Sequence, residues 1–176
     1  NKPRSARISG QYDVFTHDRV LFKGSRFPVN ICSTDHRRNS VALQKDAITL
    51  FLKKPYPNEK VMAILEQWLR DQLRLEIGNL VKKWEPALSV RVSEYRIRKM
   101  KTRWGSCNIR ASRIWLNLTL IHMPMPYLEY VVVHEMVHLL EKKHNSRFYA
   151  FMDSFVPDWR QLKDQMNRLS LELLDN

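Results

Sequence analysis

Acidic residues are scarce in this chain, with 18 Asp and Glu against 30 Lys and Arg, a formal net charge of +12 and a sequence pI near 10.0. That balance disfavours cationic partners and points to anionic ones such as nucleic acid, nucleotides or acidic peptides, without choosing among them. Cysteine is nearly absent too. Cys32 and Cys107 allow one bridge at most, which excludes a disulfide-dense secreted scaffold and makes free thiols in a reducing cytoplasm the expected state. No apolar run approaches the roughly 18 residues that span a bilayer, and the first residues have no apolar signal core, so a cytoplasmic protein with no membrane span is expected. The chain opens on Asn1 rather than Met, which leaves a preceding leader open. With only 4 glycines and 8 prolines in 176 residues, and no internal period or low-complexity tract, a linker-like or repetitive chain is excluded.

What is present is 44% hydrophobic sequence, enough for a sizeable core. From about 11 to 52, short runs such as YDVF, VLFK, FPVNI and AITLFL are broken by Gly24, Pro28 and polar clusters, which predicts antiparallel β hairpins. The period then changes. Val61, Leu65, Leu69, Leu73, Ile77, Leu80 and Trp84 recur every three or four residues behind Pro57 and Asn58, the mark of a long amphipathic helix. Beyond Pro86, LSVRVSEYRI alternates as a strand, WGSCNIRAS reads as a turn, and IWLNLTLI reads as a second strand pairing with the first directly or through a neighbour. Pro124 and Pro126 suit the first turn of a helix through LEYVVVHEMVHLLEKK. Further helices are expected over Ser146 to Phe155 and, after Pro157, along Trp159, Leu162, Met166, Leu169 and Leu173. The fold class is α+β, with a β-rich part over 1–55 and a core over 56–176 that together make one compact unit.

Residues 134–138 read HEMVH, an H-E-x-x-H pattern on a predicted helix. Four residues make just over one turn, so the imidazoles of His134 and His138 leave one face about 6 Å apart and can share an ion. Zinc suits them, one per chain. Glu135 lies one position further round, where it can take a proton from a water that zinc has acidified toward a pKa of about 7. A catalytic zinc wants a third protein ligand, and His144 is the obvious one. On an unbroken helix His144 would sit about 80° from His134 and about 120° from His138, so the helix has to end near Lys142. The spacing equals that of H-E-x-x-H-x-x-G-x-x-H, but Glu141 occupies the glycine position, and Glu141 is itself a rival ligand. The stretch Val131 to Leu140 is apolar on every side except for these groups. Burying imidazoles and a carboxylate costs several kcal/mol unless a metal or a partner compensates, so a metal site is favoured over chance.

Other polar candidates are weaker. His17 and His36 sit among turn residues and are expected to be exposed, His122 could lie outside the ligands, and Cys107 reads as a packed or turn residue without a base beside it. Between Arg91 and Arg113 stand eight basic residues and the single acid Glu94, either a solvated face or an anion-binding one. Within it Arg98, Lys101, Arg103 and Arg113 are the candidate substrate contacts. Strict alternation would place 96 and 98 on one face and 99, 101 and 103 on the other.

The segment RKMKTRWGSC, then IWLNLTL, a proline, YVVVHEMVHL and HNSRF resembles the YgjP-like (DUF45) metallopeptidase family, which is related to SprT-type proteins. Met136 in the zinc helix and Tyr149, where Trp is common, depart from that pattern without touching ligands. The resemblance implies a zincin-like core with zinc on His134, His138 and His144 and Glu135 as base. The leading expectation is a zinc metallopeptidase, whose substrate could add as a strand along IWLNLTLI. The alternatives are a nucleoside triphosphate pyrophosphatase, with the basic strand holding phosphates, and a SprT-like DNA-associated protease using the basic surface for non-specific nucleic-acid association. A purely structural zinc is disfavoured, since a closed site takes four ligands and has no use for Glu135.

Overall fold

The computed structural model describes residues 15–16, 19–35 and 38–174. Strands β1 (Phe15–Thr16), β2 (Arg19–Phe22), β3 (Ser25–Ser33), β4 (Ser40–Gln44) and β5 (Ala47–Leu52) form one sheet in the order β1-β2-β3-β5-β4. The hairpins expected from the sequence are there, and β5 returns between β3 and β4. It therefore pairs parallel to β3, with Val29 opposite Ile48, and antiparallel to β4. The sheet is mixed rather than purely antiparallel. Ile48, Leu50 and Leu52 are fully buried, as the alternation of AITLFL requires.

Helix α1 (Asn58–Leu88) buries Val61, Leu65, Leu69, Leu73, Ile77 and Val81 along one stripe. Val81, rather than the expected Leu80, continues that stripe, and Leu80 and Trp84 pack beside it half-buried. Pro86 does not end the helix. It falls in the last turn, where its missing N–H costs one bond, and Ser89 in the left-handed conformation (φ 53°) closes the helix, its N–H returning to the carbonyls of Glu85 and Pro86. The following strand β6 (Glu94–Arg98) is therefore shorter than LSVRVSEYRI suggested. Beside it lie β7 (Gly105–Asn108) and β8 (Arg113–Asn117) in the order β6-β8-β7. Strands β6 and β8 pair directly and in parallel, whereas β7 and β8 are antiparallel.

Two expectations fail here. The WGSC segment is not a turn: Gly105 to Asn108 are a strand, and the turn is confined to Ile109–Ser112, where Ser112 N–H reaches Ile109 O at 3.1 Å. Nor is IWLNLTLI an edge strand. It is strand only to Asn117, lies between β6 and β7, and turns into a 3-10 segment (Leu118–His122). Both of its edges are taken, so no peptide can add there.

Helix α2 (Met125–Val137) follows, with Pro124 as its N-cap, and then come α3 (Ser146–Phe155) and α4 (Trp159–Leu174). Leu128, Val131, Val132, Val133, Met136 and Val137 are buried around α2, so this helix is enclosed on most sides. No described helix is long and apolar enough to cross a membrane.

The N-terminal sheet grips the chain just ahead of α2. Lys23 and Gly24, with φ of 49° and 82°, make a two-residue turn between β2 and β3. Their N–H groups donate to the carbonyls of Ile121 (2.8 Å) and His122 (3.0 Å). Gly24 packs so closely that a Cβ there would meet Pro124 Cγ at 2.8 Å. His122, 8% exposed, donates from Nδ1 to Leu21 O at 2.6 Å. Burial pushes its pKa down to about 4, with the Leu21 carbonyl working in the opposite direction. His122 is thus a neutral link between β2 and the core.

This link sets a pH dependence. The neutral ring contributes its full stability above its ordinary pKa of 6.5 and loses it as pH falls toward about 4, because the unfolded chain then binds the extra proton. Lowering pH from about 7.5 to about 4.5 should cost about 2 to 3 kcal/mol through this group. Urea unfolding of His122→Asn should lack that increment. An unchanged pH slope in the variant would refute the assignment.

Candidate metal centre and cleft

His134 is in the last turn of α2 and His138 is its C-cap. The helix stops at Val137, five residues sooner than Lys142, and the backbone turns through residues 138–140. That early stop brings His144 back over the helix end. Asn145 then caps α3, its side chain accepting from Phe148 N–H at 3.0 Å. The Nε2 atom of His144 lies 3.1 Å from Nε2 of His134 and 3.0 Å from Nε2 of His138. Phe148, 1% exposed, lies beneath all three rings, with centroids 4.7 to 4.9 Å away.

These nitrogens suit a metal better than they suit each other. His138 Nδ1 donates to the carbonyl of Glu141 at 3.1 Å, so in the neutral ring Nε2 is a bare acceptor facing His144. Tetrahedral zinc, with Zn–N bonds of about 2.0–2.1 Å, separates two nitrogen ligands by about 3.3 Å, within a few tenths of an ångström of the spacing here. Burial, and then the neighbouring His138, His144 and Lys163, push His134 down to about 3, and burial lowers His138 as well. Neutral imidazoles are what a metal needs. His134, His138 and His144 form a cluster that could hold an ion, and Glu141 is not part of it. The Glu141 carboxylate instead accepts from Lys143 N–H at 3.3 Å.

Glu135 leaves α2 beside this cluster and is 6% exposed. Burial raises its pKa to about 8, opposed by the charge of Arg103. Its side chain lies against β7: a Cβ on Gly105 would fall 2.7 Å from Glu135 Oε1. Next to it opens a cleft of about 210 Å³ lined by Trp104, Gly105, Tyr130, Val131, His134, Glu135, Lys163, Met166 and Asn167. Burial, and then Glu135, hold the Tyr130 phenol near 12, so it stays a proton donor. Cys107 is raised to about 11, first by burial and then by Glu135, which removes it as a nucleophile.

The basic candidates separate. Arg103 acts electrostatically on Glu135 and immediately precedes Trp104, which lines the cleft. Lys101 is exposed in the loop 99–104, and strict alternation cannot extend beyond Arg98 because β6 ends there. Arg98 lies with Arg96 over the Trp115 ring, at 4.3 and 5.3 Å, on the sheet face opposite buried Ile114 and Leu116. Arg113 begins β8, at the end remote from Gly105, and is ion-paired with Glu94. As for the other histidines, His122 binds β2, while His17 and His36 lie outside the described residues. Sequence reasoning missed Trp104, Gly105, Tyr130, Lys163 and Asn167. Tyr130 was legible, four residues before His134 and thus on its face. Lys163 and Asn167 come from a helix whose approach no local pattern announces.

The loop that carries Arg103 and Trp104 is tied to Asn117, a residue only 3% exposed. The side-chain amide of Asn117 donates to the carbonyls of Met100 and Arg103, each at 2.9 Å, and its backbone N–H donates to Trp104 O at 2.9 Å. Its Oδ1 accepts from Thr119 N–H at 3.2 Å. Asn117→Ala should destabilise the fold by about 1 to 3 kcal/mol in urea. It should also speed amide hydrogen exchange in residues 99–104. A stability loss with no change of exchange there would mean that Asn117 does not hold this loop.

The YgjP-like family model, a metallopeptidase domain, matches residues 4–169. The UTP pyrophosphatase of Escherichia coli (strain K12) is 31% identical over 119 residues, 68% of this chain, and the match spans 59% of that protein's length. The crystal structure of the metallopeptidase zymogen abylysin of Pyrococcus abyssi is similar with a TM-score of 0.48 and 19% identity, over 51% of this chain and 90% of that one. The zymogen of Methanocaldococcus jannaschii jannalysin gives 0.47 and 18%, over 52% and 94%. With the family model covering nearly its whole length, the chain belongs to the YgjP-like metallopeptidase-domain family.

Proposed function

We propose that the protein is a zinc-dependent hydrolase that cleaves nucleoside triphosphates to the monophosphate and pyrophosphate. The observation that carries the hydrolase reading is the convergence of the three Nε2 atoms of His134, His138 and His144 beside Glu135, at the wall of a cleft. The substrate choice is supported by the relative named UTP pyrophosphatase and by cationic Arg103 and Lys163 near Glu135 and His134. Zinc bound here supplies a Lewis acid for a phosphoryl oxygen and makes water more acidic. Glu135 accepts a proton from the attacking water as its oxygen bonds to the α-phosphorus. The bridging P–O bond then breaks and pyrophosphate leaves with the electron pair. Arg103 and Lys163 offset the substrate's negative charge, and Trp104 and Tyr130 give an aromatic wall for the nucleoside.

Metallopeptidase activity is the second reading, including the DNA-associated form. It is favoured by β7, whose outer edge pairs with no other strand among the described residues and which carries Gly105 against Glu135, so an extended peptide could add there rather than on β8. The free thiols of Cys32 and Cys107 support a reducing, cytoplasmic setting, and the net charge supports weak nucleic-acid association.

Purified protein should carry about one equivalent of zinc, removable by chelation. His134→Ala, His138→Ala and His144→Ala should each empty the site, whereas Glu141→Ala should not. Metal analysis showing full retention in the histidine variants would sink the ligand set. Glu135→Gln should keep zinc and lose about a hundredfold or more in rate. Zinc-loaded wild type and Glu135→Gln are best compared on nucleoside triphosphates, unfolded proteins and DNA-bound protein. Glu135-dependent pyrophosphate release is the expected result. Glu135-dependent proteolysis without it would select the peptidase instead.

A further inference from the structure

In the WGSC segment Trp104 lines the cleft, and the glycine after it comes directly against the proposed base. A Cβ built on Gly105 would lie 2.7 Å from Glu135 Oε1, 2.8 Å from Cγ and 3.0 Å from Cδ. We infer that Gly105 is a positioning residue for Glu135: the carboxylate arm occupies the space that any side chain at 105 would fill.

Backbone conformation does not explain the glycine. Among the described residues the only glycine with positive φ is Gly24, so the dihedrals of Gly105 would admit any L residue. Space is what excludes one. Turning the carboxylate about its last bond would relieve the contact at Oε1 but not the one at Cγ, so the whole arm would have to swing. Glu135 is 6% exposed, with Val131, Val132 and Met136 of its own helix buried around it, which leaves little room for that swing. The other side is equally fixed. Gly105 pairs with Leu116, which is fully buried, and the preceding carbonyl, of Trp104, is bonded to Asn117. The strand therefore cannot retreat without breaking the β7–β8 ladder. Ser106, the next residue, pairs with Trp115 on the opposite sheet face, so its side chain is directed away from Glu135.

The rate effect rests on Glu135 being the base, but the steric effect does not, and one set of variants separates them. Gly105→Ala should retain one zinc, keep KM within about twofold, and lose at least about tenfold in kcat, because only the proton transfer is misaligned. It should also lower Tm by several degrees. Glu135→Ala removes Cγ, Cδ and Oε1 altogether, so adding Gly105→Ala to it should cost little more in either Tm or kcat. That non-additivity is the signature of direct contact. Ser106→Ala should match wild type throughout. Additive losses of Tm in the double variant, or a Gly105→Ala protein with wild-type kcat, would overturn the inference. A non-additive Tm with Glu135→Ala and Glu135→Gln both fully active would uphold the contact and remove Glu135 from the chemistry instead.

Discussion

The arrangement depends on one constraint: two imidazoles and a carboxylate leave a helix that is otherwise packed in apolar surroundings. Groups that lose water need a compensating partner, and none of the apolar neighbours can supply one. The histidine rings answer this together, by bringing their Nε2 atoms to about 3 Å from that of the third ring, a spacing that suits a shared cation. Much of the surrounding structure serves that convergence. Helix α2 stops directly after His134 has been placed, the turn at 138–140 reverses the chain, and the Asn145 cap starts α3 so that Phe148 slides under all three rings. Tyr149, next to it, stacks on Trp159 at 5.4 Å and nearly parallel, which couples α3 to the helix that brings Lys163 to the cleft.

Opposite the histidines, the small sheet acts as a wall. Strand β8 is central and saturated, so it holds its neighbours in register rather than binding anything itself. Its last residue, Asn117, gives both side-chain donor bonds and its backbone N–H to the loop that leads into β7, while its Oδ1 caps the 3-10 segment through Thr119. A cation, an aromatic ring and a glycine thus arrive in three consecutive positions, Arg103 to Gly105, at the side of Glu135. The basic residues of β6 take no part. Arg96 and Arg98 cover Trp115 on the outer face.

The H-E-x-x-H spacing and the long α1 stripe were legible because each is a local periodicity, and a helix turns periodicity directly into a face, whereas His144 was legible from the need for a third ligand just past a helix end. The parallel pairing of β3 with β5 was not, since hairpin signals say which segments are strands but not which neighbour a returning strand chooses. The reading of WGSC as a turn failed for a related reason. Gly105 and Ser106 are weak strand formers, and only the ladder to β8 makes them one. Pro86 misled in the same way, because proline in a last turn removes a single bond that the left-handed Ser89 closure offsets. Lys163 and Asn167 reach the cleft through the docking of α4 onto α2, information that resides in no window of sequence.

The grip of the N-terminal sheet on the core has a consequence for how this fold can vary. Lys23 and Gly24 hold the carbonyls of residues 121 and 122, and Leu21 lends its own carbonyl to His122, so the joint is written largely in main chain. Main-chain bonds do not depend on which side chains flank them. The sheet could therefore diverge in sequence, lengthen its hairpins or take on new surfaces while still seating against the start of the active-site helix. Only Gly24, pressed against Pro124, and the buried imidazole at 122 would have to stay as they are.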